Sequence, residues 1–224
     1  MRLVVRVGGS VVASPFSPGL MSEYVDLLLD LKRGGHVVAC VVGGGSLSRE
    51  RIRTAKGMGL DEAGQDEVAI SVSRLVAQLF VLRLGESGAG RVPVAVDDAA
   101  KLVDDGKIVV MGGLKPGMTT DTVAALIAES INAEVLIKGT DQEGVYDKDP
   151  RKFSDASKLD RLSFEVLSRV LTEDKHKAGI HQIIDPEAVK VLKKRKVKVV
   201  VVNGSRPENV LKAVSGECVG TVIE

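Results

Sequence analysis

Tryptophan is absent from the 224-residue sequence, and phenylalanine and tyrosine supply an aromatic share of only 3%, against 44% hydrophobic residues overall. A core without large rings has to be filled by Val, Leu, Ile and Ala, a palette that suits parallel strands buried on both faces beneath helices. An excess of charge of one sign is also lacking. The 31 Lys and Arg nearly cancel the 30 Asp and Glu to leave +1, so a general electrostatic affinity for nucleic acid is not indicated. The apolar runs fall well short of a membrane span, and no basic segment followed by an apolar one opens the chain. The expectation is a cytoplasmic protein without a membrane partner. The two cysteines, Cys40 inside an apolar run and Cys218 near the end, have no metal-ligand spacing and make no disulfide framework. His36, His176 and His181 do not share one helical face, which argues against a zinc site, and no Gly-Lys-Ser/Thr P-loop occurs. No metal site of the chain's own is expected.

What the sequence does contain is an alternation of apolar runs and helical patterns. Candidate strands are Arg2–Val7, His36–Val42, Val92–Val96, Lys107–Met111, Ala133–Lys138, Val197–Val202 and Val219–Ile223. They do not alternate polar with apolar, which predicts burial on both faces. Helical patterns occupy Leu20–Lys32, Leu47–Lys56, Asp61–Leu84, Thr120–Ile131, Phe164–Leu171, Pro186–Lys196 and Pro207–Val214. Asp185-Pro186-Glu187 has the form of a helix start, a capping carboxylate followed by proline in the first turn. Such alternation predicts an α/β fold with a largely parallel sheet and helices on both faces. No Pro/Ser linker and no internal repeat divides residues 1–224, so a single domain is expected. Glu143–Phe153 breaks the pattern with turn residues and charges and reads as a hairpin or loop. Lys193–Lys196 ends a helix, where cations complement the macrodipole, and reads as a solvated terminus. The helix Asp61–Leu84 has more apolar positions than one core face needs, which suggests a subunit interface.

Three strand exits are rich in glycine: Gly8-Gly9-Ser10, Gly43-Gly44-Gly45-Ser46 and Gly112-Gly113. One such turn means little, because strand–helix connections use glycine for its φ angle. Three of them, with Arg49 one turn into the second helix, favour a phosphate held by converging backbone N–H groups. A dinucleotide fingerprint is disfavoured: Ser48 stands where the third glycine belongs, and no strand-end acid follows at the distance of about 20 residues that a ribose contact needs. In Gly112–Glu129, Pro116-Gly117 makes a turn and Thr119-Thr120-Asp121 opens a helix. Capping accounts for the threonines and the aspartate. It leaves unexplained the polar loop ahead of them, whose groups could read a base and a sugar by hydrogen bonds.

The order of VGGSVV, VVGGGSLSR, MGGLKPGMTTDTVAALIAE, GVYDKDPRKF, IDPEAVKVL and VVNGSRPENVLKAVSGECVGTVI resembles the amino acid kinase family, and within it the archaeal branch of uridylate (UMP) kinases. The resemblance runs nearly end to end. It implies a three-layer αβα sandwich with a mainly parallel sheet. The acceptor would be bound by an N-terminal half, about residues 1–132, and Mg²⁺-ATP by a C-terminal half, about residues 133–224. The implied reaction is UMP + ATP to UDP + ADP, usually in a homohexamer, with the magnesium held mainly by the nucleotide phosphates. Carried over by position, Gly9, Ser10, Gly45 and Arg49 would meet the ATP phosphates. Thr140, Asp141, Tyr146 and Asp149 would line the adenosine end. Gly44 would lie against UMP, Asp66 would hold its ribose hydroxyls, and Leu114, Lys115, Pro116, Gly117, Met118, Thr119 and Thr120 would wrap the uridine. The two threonines would make the most directional of those contacts.

Three departures from the family pattern stand out. Arg6, the candidate catalytic cation, occupies a position where many relatives have lysine, and it offers a planar fork instead of a mobile point charge. TDQEGVY replaces the usual T-N-V-D-G-V-Y, making Asp141 and Glu143 unusual for the branch. KAGIHQIID, Lys177–Asp185, replaces a serine-rich run, so Ile180, His181 and Gln182 alter the expected ATP-side contacts. The competing readings are a carboxylate, carbamate or isoprenoid-phosphate kinase of the same fold, a nucleotide-binding member without turnover, and, more distantly, a dehydrogenase.

Overall fold

The computed structural model describes residues 1–173 and 183–224; Ile180, His181 and Gln182, like His176, lie outside the described residues. Its architecture follows from strands that are apolar on both faces. Along β1 (Arg2–Val7), Leu3, Val5 and Val7 face one core and Val4 the other. The same split recurs in β2 (Val37–Val42), where Cys40 and Val42 oppose Ala39 and Val41, and in β8 (Lys198–Asn203), where Val200 and Val202 oppose Val199 and Val201. Successive side chains of a strand point to opposite faces, so each face needs its own layer of helices.

On one face lie α1 (Gly9–Val12), α2 (Pro18–Arg33), α4 (Glu62–Leu84) and α9 (Glu208–Ser215). On the other lie α5 (Val96–Asp104), α6 (Thr120–Ser130), α7 (Phe164–Glu173) and α8 (Pro186–Arg195). Helix α3 (Gly45–Gly57) packs beside α4. With β3 (Val109–Met111), β4 (Val135–Thr140), β7 (Arg161–Leu162) and β9 (Thr221–Ile223), the main sheet has the order β3-β2-β1-β4-β8-β9-β7. It is parallel throughout except where β9 runs against β8. The result is the three-layer αβα sandwich. The hairpin expected within Glu143–Phe153 is wider than its sequence suggested: β5 (Val145–Tyr146) pairs antiparallel with β6 (Lys158–Leu159).

One expectation is corrected. Val92–Val96 is not a strand: Pro93 has no N–H for a ladder, Val94 is 58% exposed, and Val96 opens α5 with Asp97 and Asp98 in the first turn, where acids complement the dipole. The segment Glu62–Ser87 is, among the described residues, long and apolar enough by length and composition to cross a membrane, although no uninterrupted apolar run predicts it. Its inner face, from Ile70 through Val76, Ala77 and Phe80 to Leu84, is buried, and Asp66 and Arg74 hold a neighbouring loop. The helix fits its place as a core helix of the sandwich.

Tyr24 ties α2 to the turn after β8, its buried hydroxyl donating to the Gly204 carbonyl at 2.8 Å. Burial pushes the phenol well above its ordinary range, and the Cys40 thiol behaves likewise. Tyr24→Phe is expected to cost about 1–2 kcal/mol through the buried bond it removes. That should appear in calorimetry as a midpoint lowered by roughly 2–8 °C, with no change in ligand binding.

Candidate active site

From β1 the chain proceeds to β2 and β3 on one side of the sheet and to β4 and β8 on the other. Where strand order reverses in this way, the carboxyl ends of the two central strands leave a crevice between diverging connections. A cleft of about 620 Å³ opens there, at the ends of β1 and β4. One wall is made by the glycine turns. A Cβ on Gly9 would stand 2.2 Å from the Gly45 amide nitrogen, and one on Gly45, whose φ is +62°, would stand 2.1 Å from the Ala13 carbonyl oxygen. The turns after β1 and β2 are thus in backbone contact with each other, and this contact demands glycine independently of any ligand. Helix α3 starts from the second turn with Gly44 as N-cap; its Ser46 amide donates to Ser14 Oγ at 2.6 Å and to the Ala13 carbonyl at 2.9 Å. The positive potential of this 13-residue helix start still suits an anion, with Arg49 lining the cleft beside it.

A second wall is the loop from Gly112 to Thr119, held by side chains of α4. Ser73 Oγ accepts from the Gly113 amide at 2.8 Å, and Asp66 Oδ2 accepts from the Gly117 amide at 2.7 Å. The Arg74 fork donates to the carbonyls of Gly113 and Leu114, both at 2.9 Å. Thr119 then caps α6, accepting from the amides of Asp121 and Thr122 at 3.1 Å and donating to Asp185 Oδ2 at 2.5 Å. Asp185 also accepts from the Thr122 hydroxyl at 2.8 Å and caps α8 through the Ala188 amide at 2.9 Å. One carboxylate thereby joins the starts of α6 and α8.

The floor is charged. Arg6 Nη2 donates to Thr120 Oγ1 at 2.9 Å, and Arg6 Nε lies 2.7 Å from Asp121 Oδ1. That second contact is an ion pair whose angle does not aim the N–H at the oxygen, so both atoms stay unpaired by hydrogen-bond geometry. Lys138 Nζ holds the other oxygen, Asp121 Oδ2, at 2.5 Å and also donates to the Ile183 carbonyl. Burial pushes the Asp121 carboxyl up, but the neighbouring Arg6 and Lys138 charges outweigh it and hold the group below the usual carboxylate range. Burial, only partly opposed by Asp121, pulls the Lys138 ammonium down to about 8.

Of the residues expected from sequence, Arg6, Gly9, Ser10, Gly44, Gly45, Arg49, Asp66, Lys115, Met118, Thr119, Thr120, Thr140 and Asp141 line this one cleft. Leu114, Pro116, Gly117, Tyr146 and Asp149 do not. Leu114 packs on the core, and Gly117 turns its amide to Asp66. Tyr146 belongs to the β5–β6 hairpin, where it stands opposite Lys158, and the Asp149 carboxylate is spent on Arg151, through its amide at 3.0 Å and its guanidinium at 3.3 Å. The hydroxyls of Thr119 and Thr120, expected to face a uridine, are already committed to the helix cap and to Arg6. Sequence reasoning missed Lys138, Arg74 and the tie through Asp185, and saw Asp121 only as a helix-end acid. Lys138 had a signal, a lone cation in an otherwise apolar strand; Arg74 had none.

A glycine-walled cleft at the reversal point of an αβα sandwich, in a sequence without a P-loop, defines the class of protein. The chain belongs to the amino acid kinase family: the family model, "Amino acid kinase family", matches residues 1–203. It is 41% identical to the uridylate kinase of Methanocaldococcus jannaschii over 226 residues, covering 100% of both chains. A crystal structure of uridylate kinase from Archaeoglobus fulgidus superposes with a TM-score of 0.88 at 38% identity, again covering 100% of each chain. The UMP kinase of Bacillus anthracis, at 20% identity and a TM-score of 0.83 over 100% of this chain and 95% of that one, shares the fold.

Proposed function

We propose that this chain transfers the γ-phosphoryl group of ATP to UMP, giving UDP and ADP. The observation that carries the reading is the convergence on one cleft of a helix start, two glycine turns and the Arg6 cation, beside a polar loop clamped to α4. Likeness to uridylate kinases over the full chain names the acceptor. Phosphoryl transfer needs little covalent help from the protein. It needs two anions brought into line and their charge neutralised by donors already in position.

Residues 1–132 form the acceptor half in this reading and residues 133–224 the ATP half. Gly9, Ser10, Gly45 and Arg49 receive the ATP phosphates, with Thr140 and Asp141 toward the nucleoside end. Gly44 and the loop from Leu114 to Thr120 receive UMP. Asp66 has one oxygen engaged with Gly117, and the other is the acceptor for a ribose hydroxyl. With the threonine hydroxyls already committed, uridine is read by backbone groups of the loop. Tyr146 and Asp149 have no part in the proposal. Arg6 is the cation at the junction of donor and acceptor.

Among the described residues no three His, Cys, Asp or Glu side chains gather to hold a metal. The cleft carboxylates are Asp66, Asp121 and Asp141, and Asp121 is committed to two cations. That set fits a magnesium ion that arrives on ATP and keeps most of its ligands from phosphate and water, with Asp141, which accepts from the Thr140 hydroxyl at 3.2 Å, the carboxylate placed to join them. Bound in that way, the ion would neutralise phosphate charge. The setting is cytoplasmic, in keeping with two cysteines that form no disulfide. The assembly is a homo-oligomer, a hexamer by family likeness. Leu75, Leu79 and Leu82, on the outer face of α4 and 51%, 44% and 68% exposed, are the surface that a second copy would cover.

ADP release with Mg²⁺-ATP over UMP, CMP, dTMP and AMP tests the function. UMP is expected to be the preferred acceptor, and equal inertness toward all four would end the proposal. Arg74→Lys tests the loop. Lysine cannot reproduce the fork on two carbonyls, and losing one such charged hydrogen bond is worth about 1.5 kcal/mol or more. The KM for UMP should rise about tenfold or more while the KM for ATP stays as it was.

A further inference from the structure

Arg6 and Lys138 are register partners on adjacent parallel strands, β1 and β4. Counting by twos along each strand puts them on the same face: Val4 precedes Arg6, and Leu136 precedes Lys138, in one and the same core. Two cations are thus side by side near the carboxyl ends of the two central strands, with side chains 15% and 7% exposed. Buried like charges at that spacing repel unless an anion lies between them. Asp121, the second residue of α6, is that anion, one oxygen toward each cation. Lysine is the group whose loss the ion pair would feel most, because its Nζ anchors Asp121 to β4 and also reaches the Ile183 carbonyl, just ahead of α8.

We infer that Lys138 is a positioning residue for phosphoryl transfer: from β4 it fixes Asp121, and Asp121 fixes the Arg6 guanidinium over the point where donor and acceptor meet. The inference rests on the proposed kinase reading. Lys138 acts through Asp121 without itself contacting the acceptor. Its effect is lost when the ammonium loses its proton, since a neutral amine no longer holds the carboxylate by charge. The groups facing it are Arg6 from β1, Asp121 and the Thr120 hydroxyl from α6, Asp185 at the cap of α8, and Asp141 beyond the end of β4. Its register partner on β8, Val201, brings no charge. With its ammonium pulled down to about 8, Lys138 is the group in this set that titrates just above neutrality.

The test is steady-state kinetics of the full-length protein with Mg²⁺-ATP and UMP from pH 6 to 10, for the wild type, Lys138→Met and Lys138→Arg, with thermal midpoints recorded in parallel. For the wild type, kcat should decline above a pH of about 8. Lys138→Met should lose about a hundredfold in kcat, the scale of an ångström-sized misplacement, with both KM values within about threefold. Lys138→Arg keeps its charge throughout the range. It should restore kcat to within about tenfold of wild type and abolish the alkaline decline, a change that a merely structural role would not produce. A folded Lys138→Met protein with kcat within threefold of wild type would overturn the assignment. So would an alkaline decline that persists unchanged in Lys138→Arg. A wild-type chain inert toward UMP would instead remove the kinase reading and this inference with it, so the two failures are told apart by the wild-type arm alone.

Discussion

Gly45→Ala is expected to destabilise the protein by about 2–5 kcal/mol and to lower turnover at least about a hundredfold. Two costs add. The left-handed φ of +62° at this position penalises any L side chain by about 1–2 kcal/mol. The new Cβ would then sit 2.1 Å from the Ala13 carbonyl and 2.4 Å from that of Gly9, both backbone atoms that cannot swing away. Relieving such an overlap costs about 1–3 kcal/mol and moves the two turns apart. Because these turns are the proposed phosphate wall, the displacement should reach the chemistry. Calorimetry should register a midpoint roughly 4–20 °C lower. Gly59→Ala is the matched control: its φ is +82°, but a Cβ there meets nothing within 4 Å, and it lies outside the cleft. It should cost only the backbone penalty of about 1–2 kcal/mol and leave kcat intact. Equal stability losses for the two variants would show that the turn-on-turn contact is not what requires glycine at position 45.

The glycine turns show how far the sequence could be read. That three strand exits lacked side chains was legible, and so was their gathering at one end of a parallel sheet, because parallel strands connected through helices bring their carboxyl ends together. The reason for two of the glycines was not legible. Whether a glycine faces a ligand or another backbone depends on which strands are neighbours, and the adjacency of β1 and β2 with their exits in contact is a tertiary fact. The strand Val92–Val96 failed for a local reason that was available: Pro93 forbids a ladder position, and Asp97-Asp98 suits a helix start. The threonines of the loop failed for the opposite reason. Their capping role was visible, but its competition with ligand binding shows only when Asp185, 66 residues after Thr119, arrives as a third partner. Lys138 lies between these cases. A cation inside VLIKGT announces a buried charge that must find an anion, yet nothing in the spacing says that the anion is Asp121 or that Arg6 shares it.

Asp121→Asn should therefore be the most damaging single change in the charged floor. The amide is isosteric, so the shape survives while two cations lose their common anion. Removing one partner of a buried pair costs about 3–5 kcal/mol, and releasing Arg6 should lower kcat by about 10²–10³. The dependence on pH has a definite sign. The folded Asp121 carboxyl lies below its ordinary value, so its contribution is present above an unfolded pKa of about 3.9 and is lost as pH falls through the folded one. The gap in thermal midpoint between wild type and variant should be widest near neutrality and close on acidification. Lys138 has the same sign of dependence, in the alkaline window instead of the acid one. Its folded value is lowered to about 8 from 10.5, so between those limits the unfolded chain holds the proton that the folded chain has released, and stability rises with pH. Without Asp121 to support the ammonium, that rise should begin at a lower pH in the variant than in the wild type. Midpoints measured from pH 3 to 10 on both proteins check the two ends together. Parallel curves, offset by a constant at every pH, would mean that Asp121 carries no charge coupling to the pair it sits between.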